Sequence, residues 1–260
     1  MKLSKILFMV FIVVLIPALN NYSQPISRLI DEGDRYYKQF NNEKALEVLK
    51  NAEKTDPNNF EILWRISRSL VEIAEKMPAS TGDQKDAQLA AYQKGFEYAD
   101  KAVNKDPDNS IGYLRRAIAN GRIALFKGLF SVAGVVNSVR ADAEKAIQLN
   151  NGGNFIQGVA HYVLARTHAK TSEKWKPARS ILGLGWADND IALEEYKKAI
   201  ALYPGYLMFY VDYALSLNRE DDYKTAREML NKAFACQKQH QDDDERLVEA
   251  KSIMSEIKDK

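Results

Sequence analysis

The stretch Ile26 to Asn59, ISRLIDEGDRYYKQFNNEKALEVLKNAEKTDPNN, decides the fold. Leu29, Gly33 and Tyr36 are spaced four and three residues apart, which puts them on one helix face, and Ala45, Leu49 and Ala52 repeat the pattern on a second helix. Small residues let two helices approach closely, and large ones fill what remains. Asp56-Pro57-Asn58-Asn59 then stops the second helix, because proline cannot donate the next helical hydrogen bond. The unit is a helical hairpin of 34 residues.

Working outward, the stop recurs. After Pro57 come Pro107 in Asp106-Pro107-Asp108-Asn109, Asn151 in the turn Asn150-Asn151-Gly152-Gly153, Pro204, and finally Lys238, at intervals of 50, 44, 53 and 34 residues. Five residues before each stop stands an alanine: Ala52, Ala102, Ala146, Ala199 and Ala233. A small residue recurring at one offset marks the point where the second helix of each hairpin presses on its neighbour, so the chain reads as five hairpins.

The unit and its recurrence resemble the tetratricopeptide repeat, and the resemblance covers residues 26 to 238. It implies an all-α, right-handed superhelical solenoid whose first helices line a concave inner wall. The closing half, with Tyr162-Val163-Leu164-Ala165-Arg166, a tryptophan-containing insertion, Tyr196-Lys197-Lys198-Ala199 and Tyr203-Pro204, also looks similar to the regulator-of-microtubule-dynamics group of repeat proteins.

Intervals longer than 34 residues require insertions. In the second hairpin, Leu63, Ile66, Ser67 and Leu70 are separated from Gly95, Ala99 and Ala102 by 16 extra residues, broken at Pro78, Ser80, Thr81 and Gly82. The third has Tyr113 and Ala117, then a long run from Ile118 to Val139. Arg116 stands there at a place the repeat family fills with an apolar residue, so either the register slips by one or the first helix is longer. In the fourth, a 19-residue excess over Thr171 to Asp190 carries Trp175, Pro177, Gly183, Gly185 and Trp186. The fifth is compact. Beyond it, Asp242 to Lys260 reads as a capping helix, with Leu247, Ala250, Ile253, Met254 and Ile257 on one stripe and acids at its positive end.

Residues 1 to 23 read as an export signal: Lys2 and Lys5, an apolar run from Ile6 to Leu19 of about 14 residues, where crossing a bilayer takes roughly 20, then Asn20, Asn21, Tyr22 and Ser23. Cleavage near Ser23 is the expectation, leaving one repeat domain over 24–260 that is periplasmic or secreted; the alternative is an anchor retained over residues 6–19. No cysteine follows the run for lipid attachment.

The formal charge of +2 belongs to that segment, since setting aside Lys2 and Lys5 leaves 35 basic and 35 acidic residues. A neutral remainder has no overall drive toward nucleic acid. Apolar residues at 46% and charged ones at 28% fit a packed domain with solvated outer faces. Cys236 alone can form neither an intrachain disulfide nor a multi-cysteine metal site.

Laid on the 34-residue frame, the inner-wall columns are an apolar one, Ile30, Trp64, Leu114, Tyr162 and Val211; a mixed one, Asp34, Arg68, Ile118, Arg166 and Leu215; and a mostly cationic one, Lys38, Glu72, Arg122, Lys170 and Arg219. Together with Tyr37 beside Lys38, these predict a groove with an apolar floor and a net positive edge for a protein or peptide partner bearing carboxylates. The opposing expectation is that these cations pair with acids of adjacent helices. The insertions should collect along one edge of the solenoid, where Phe130, Trp175 and Trp186 could roof a pocket for a small molecule or lipid. The competing expectation is that these aromatics only cover the ends of extended helices.

Catalytic chemistry is not legible. His161 and His168 lie seven apart, about 10 Å along a helix and too far for a helical metal pair. Gly183-Leu184-Gly185 lacks the third glycine of a dinucleotide loop, and no phosphate loop, nucleophile elbow or zinc-protease motif occurs. The sequence thus predicts a non-enzymatic scaffold with no cofactor and no metal, and membrane association only through an uncleaved N-terminal segment.

Overall fold

The computed structural model describes residues 25–260, so residues 1–23, expected to be an export signal, lie outside the described residues. Twelve α-helices and one short 3-10 turn make up the described chain, paired as the stops predict. The hairpins are α1 (Ile26–Lys38) with α2 (Asn42–Thr55), α3 (Phe60–Lys76) with α4 (Gly82–Lys105), α5 (Ser110–Lys127) with α6 (Ala133–Leu149), α7 (Gly153–Ser172) with α9 (Asn189–Leu202), and α10 (Leu207–Arg219) with α11 (Tyr223–Ala235). The 3-10 turn Leu129–Val132 precedes α6, α8 (Lys176–Ile181) lies inside the fourth hairpin, and α12 (Asp243–Glu256) closes the chain. Among the described residues no helix is long and apolar enough to cross a membrane.

Each stop does two jobs. Asp56 ends α2 with its N–H on the Ala52 carbonyl, while Asn59 caps α3 by accepting from Glu61 N–H and donates its amide to the Asp56 carboxylate at 3.0 Å. Asp106 and Asn109 repeat the arrangement at 3.2 Å. The recurrent alanine has a double reason as well. All five are fully buried, and each of their carbonyls receives the N–H that closes its helix: from Asp56, Asp106, Asn150, Tyr203 and Cys236. A larger side chain there would meet the neighbouring hairpin.

The insertions are taken up mainly by helix. α3 and α4 lengthen to 17 and 24 residues, and the break falls at the predicted Pro78–Thr81 turn, where Thr81 and Gln84 form a reciprocal cap. In the third hairpin the first helix is longer rather than shifted. Leu114 and Ala117 are buried as the register requires, and Arg116 fills its apolar position by bridging Asp100 of α4 at 2.7 Å and Asp142 of α6 at 2.7 and 2.9 Å.

The predicted capping helix is present, and the segment before it reaches back across the stack. α12 buries Ala250, Ile253 and Ile257 against the last hairpin. The residues leading into it return to the second hairpin: Gln241 donates to the Glu72 carbonyl at 2.7 Å and accepts from Asn42, while Lys76 pairs with Asp242 at 2.6 Å and Glu245 at 2.9 Å. This strap, residues 239–245, joins the two ends of the superhelix and closes one side of its concave face.

Candidate binding chamber

Inside the curve, α5, α6 and α7 enclose a chamber of about 1070 Å³, measured out to its mouth. Its walls are apolar: Leu114, Ile118 and Leu125 from α5, Val136 and Val139 from α6, Val159 and Val163 from α7, with Phe155, Met208 and Tyr206 at one end. Gly121 also faces it, and a Cβ built there would meet only the Val139 side chain, at 4.0 Å. Polar groups line the same space: Tyr37, Arg115, Arg122, Arg166, Lys170, Thr171, Glu72, Glu75 and His240.

Of the predicted groove residues, the structure brings Tyr37, Leu114, Arg122, Tyr162, Arg166 and Lys170 to the chamber. The others lie elsewhere. Lys38 is exposed at the end of α1. Trp64 is buried beside the chamber, its indole N–H on Glu61. Arg219 bonds the Ala169 carbonyl, Ser172 and Asn189, fastening α10 to the end of α7.

A continuous positive edge is not what these side chains form, because most cations are already matched. Arg68 pairs with Asp34 at 2.6 Å and stacks 3.6 Å over Tyr37, Arg122 touches Glu75, and Arg166 lies 3.5 Å from Asp212. Burial would raise the Asp212 carboxyl, but the charges of Arg166 and Arg246 and a 2.6 Å hydrogen bond from the Tyr162 hydroxyl outweigh it and hold the group at about 2. Burial would likewise raise Asp34; the hydrogen bonds from Arg65 and the charge of Arg68 hold it low. Two cations stand apart. Lys170 has only the surface pair with Glu173, and Arg115 has a buried Nε without a hydrogen-bond partner. These are the two chamber cations not committed to a buried acid.

The only close cluster of metal-ligating types found among the described residues is Glu72, Glu75 and His240, whose ligand atoms lie within 4.8 Å of one another. The imidazole geometry argues against a metal site. His240 Nδ1 accepts the Asp242 N–H at 3.2 Å, so the ring proton sits on Nε2, which donates to Glu72 at 3.0–3.1 Å and presents no lone pair to a cation. Burial pushes the Glu75 carboxyl up to about 7. The cluster serves as the polar end wall of the chamber and as an anchor of the strap.

The insertion residues do not form the predicted roof. Trp186 turns inward, its N–H on Asn137 at 2.8 Å and its ring against His168 and Arg140. Phe130 and Trp175 are exposed, and none of the three lines the chamber. His168 is buried and accepts the Asp188 N–H, fixing the start of α9, while His161 pairs with Glu195 at 2.5 Å; both hold the fourth hairpin together.

What sequence reasoning missed in the chamber is Arg115, Phe155, Tyr206, Met208 and His240. Arg115 stands next to a predicted column position, so a wider helical wedge would have included it. His240 comes from a segment with no periodicity, and nothing in its neighbours signals that it crosses to α3.

A family model described as regulator of microtubule dynamics protein 1-3 matches residues 29–258. The chain is similar to regulator of microtubule dynamics protein 1 of Bos taurus, 24% identical over 125 residues, a match covering 48% of this chain and 38% of that protein, well under half of the relative's length. Among solved structures it is similar to TTC0263, a thermophilic TPR protein of Thermus thermophilus, with a TM-score of 0.61, 17% identity and coverage of 89% of this chain and all of that one. It is also similar to PilF of Pseudomonas aeruginosa, with a TM-score of 0.53, 14% identity and 90% coverage of both chains. At such identities the likeness establishes the tetratricopeptide-repeat solenoid and no activity.

Proposed function

The chain belongs to the regulator-of-microtubule-dynamics family of tetratricopeptide-repeat proteins, and on that premise we propose that it is a non-catalytic, exported scaffold that holds a protein partner by an apolar segment seated in the concave chamber. The observation that carries this reading is the chamber itself: apolar walls from three consecutive helices, with Arg115 and Lys170 among its lining residues to meet separate carboxylates of the partner. The paired cations act as a rigid frame and not as the recognition surface.

A second reading has an observation of its own. Apolar walls with a few polar groups converging on one space are the make-up of a small-molecule pocket, and the strap narrows the groove for a through-running peptide. The occupant in that reading is a small amphiphile with an anionic end, held in the concave chamber and not under the insertions.

Gly121→Phe tests both, because the added ring fills the chamber from a position where a Cβ has room, and exchanging a mid-helix glycine favours the helix. Native mass spectrometry of the purified protein is expected to show a bound peptide or protein partner that Gly121→Phe loses. A small amphiphile lost in the same variant establishes the second reading, and a bound species retained undiminished in Gly121→Phe overturns the chamber as the site.

A further inference from the structure

The insertions of the third and fourth hairpins pack on each other. Leu184, fully buried, sits against Ala124 and Val136, and Trp186 is bonded to Asn137. They make one edge of the molecule, and its surface composition is unlike the rest. Of the ten large apolar side chains that stand exposed among the described residues, four are here: Phe130, Trp175, Ile181 and Leu182, with Trp175 at 72% and Ile181 at 86%. Isolated exposed apolar residues need no explanation, but this many gathered on one edge do.

The charge is equally uneven. Residues 127–140 and 170–186 hold six of the 35 cations in 24–260 and only one of the 35 acids, Glu173. Arg179 turns inward to the Ala187 carbonyl, Arg140 pairs with Glu144 and Lys170 with Glu173. That leaves Lys127, Lys174 and Lys176 without an ion pair among the described residues, two of them flanking Trp175. The tip is held firmly: Pro177 starts α8, and the buried Arg179 guanidinium ties α8 back to the start of α9.

We infer that this edge docks on an anionic lipid bilayer, with Trp175 and Ile181 entering the interfacial region and Lys174 and Lys176 meeting lipid phosphates. An indole with one apolar body and one polar N–H prefers that boundary, and flanking lysines add attraction only when the surface is negative. The contact is independent of residues 6–19 and of whatever fills the chamber.

Trp175 reports on its own insertion. Full-length protein is mixed with vesicles of phosphatidylcholine alone or with about 30% phosphatidylglycerol, with brominated acyl chains as a short-range quencher. Trp64 is buried and Trp186 half-buried and hydrogen-bonded, so quenching on the anionic vesicles is expected to come from Trp175 and to vanish in Trp175→Phe. Lys174→Gln with Lys176→Gln is expected to require about 25-fold more anionic lipid for the same quenching, since each basic residue near the surface contributes on the order of a factor of five. Absence of quenching, equal quenching on neutral vesicles, or quenching that survives in Trp175→Phe overturns the proposal. A blue shift that grows with protein concentration and needs no lipid overturns it in favour of a second copy of the chain.

Discussion

At the residue scale, the decisive group is Asp212. Its side chain is 3% exposed, lies between Arg166 of α7 and Arg246 of α12, and accepts from Tyr162. Removing it leaves the Arg166 guanidinium without its counterion and Arg246 with Glu249 alone, and breaking such a site typically costs about 3–5 kcal/mol. Asp212→Ala is expected to lose an amount of that order in urea denaturation at pH 7. The same carboxyl sets an acid limit. Its folded pKa of about 2 lies below the ordinary 3.8, so its stabilisation is present above pH 4 and is lost as pH falls from about 4 through 2. A plot of stability against pH for Asp212→Ala should therefore lack part of the wild-type acid slope in that window. Charge reversal of Arg68 or Arg166 would likewise read out folding before it read out binding, because the first is committed to the half-buried Asp34 and the second to the buried Asp212.

At the scale of the element, the hairpin stops and their alanines carry the architecture. Ala199 is fully buried where α9 meets α7, and its carbonyl lies 3.2 Å from where a Cβ on Gly158 would stand. Ala199→Leu inserts three carbons into that close approach, and overpacking of this kind costs about 1–3 kcal/mol; a fall in thermal midpoint measured by circular dichroism checks it. These elements were legible because the signals are local: a proline or glycine turn, an alanine at a constant offset, an asparagine ready to cap the next helix. The insertions were half legible. Their positions were written in the broken period, but Trp175 and Trp186 look alike in sequence, and only the buried Leu184 and the Asn137 amide of another hairpin decide that one turns in while the other faces out. Arg116 left the register open between a slip and a longer first helix for the same reason, since its two acids come from α4 and α6.

At the scale of the whole molecule, the columns of the inner wall predicted the middle of the chamber well and its ends poorly. Leu114, Tyr162 and Arg166 follow from hairpin geometry alone; His240 reaches Glu72 across 168 residues, a separation no periodicity encodes. The strap also alters how the fold should come apart. Repeat arrays with free ends unravel from the outside inward, each unit answering only to its neighbours. Here Asn42, Glu72 and Lys76 are tied to Gln241, His240, Asp242 and Glu245, so α2 and α3 cannot part from the α12 end without breaking the strap. Wild-type protein should melt in a single step, with hydrogen exchange equally slow in α3 and α12. Lys76→Ala with Gln241→Ala should split that step in two and speed exchange at both ends while α7 stays protected; unchanged exchange at either end would show that the ring has no bearing on cooperativity. Circularity of this kind turns a modular array into something closer to a hoop under tension, in which the weakest joint sets the endurance of the whole.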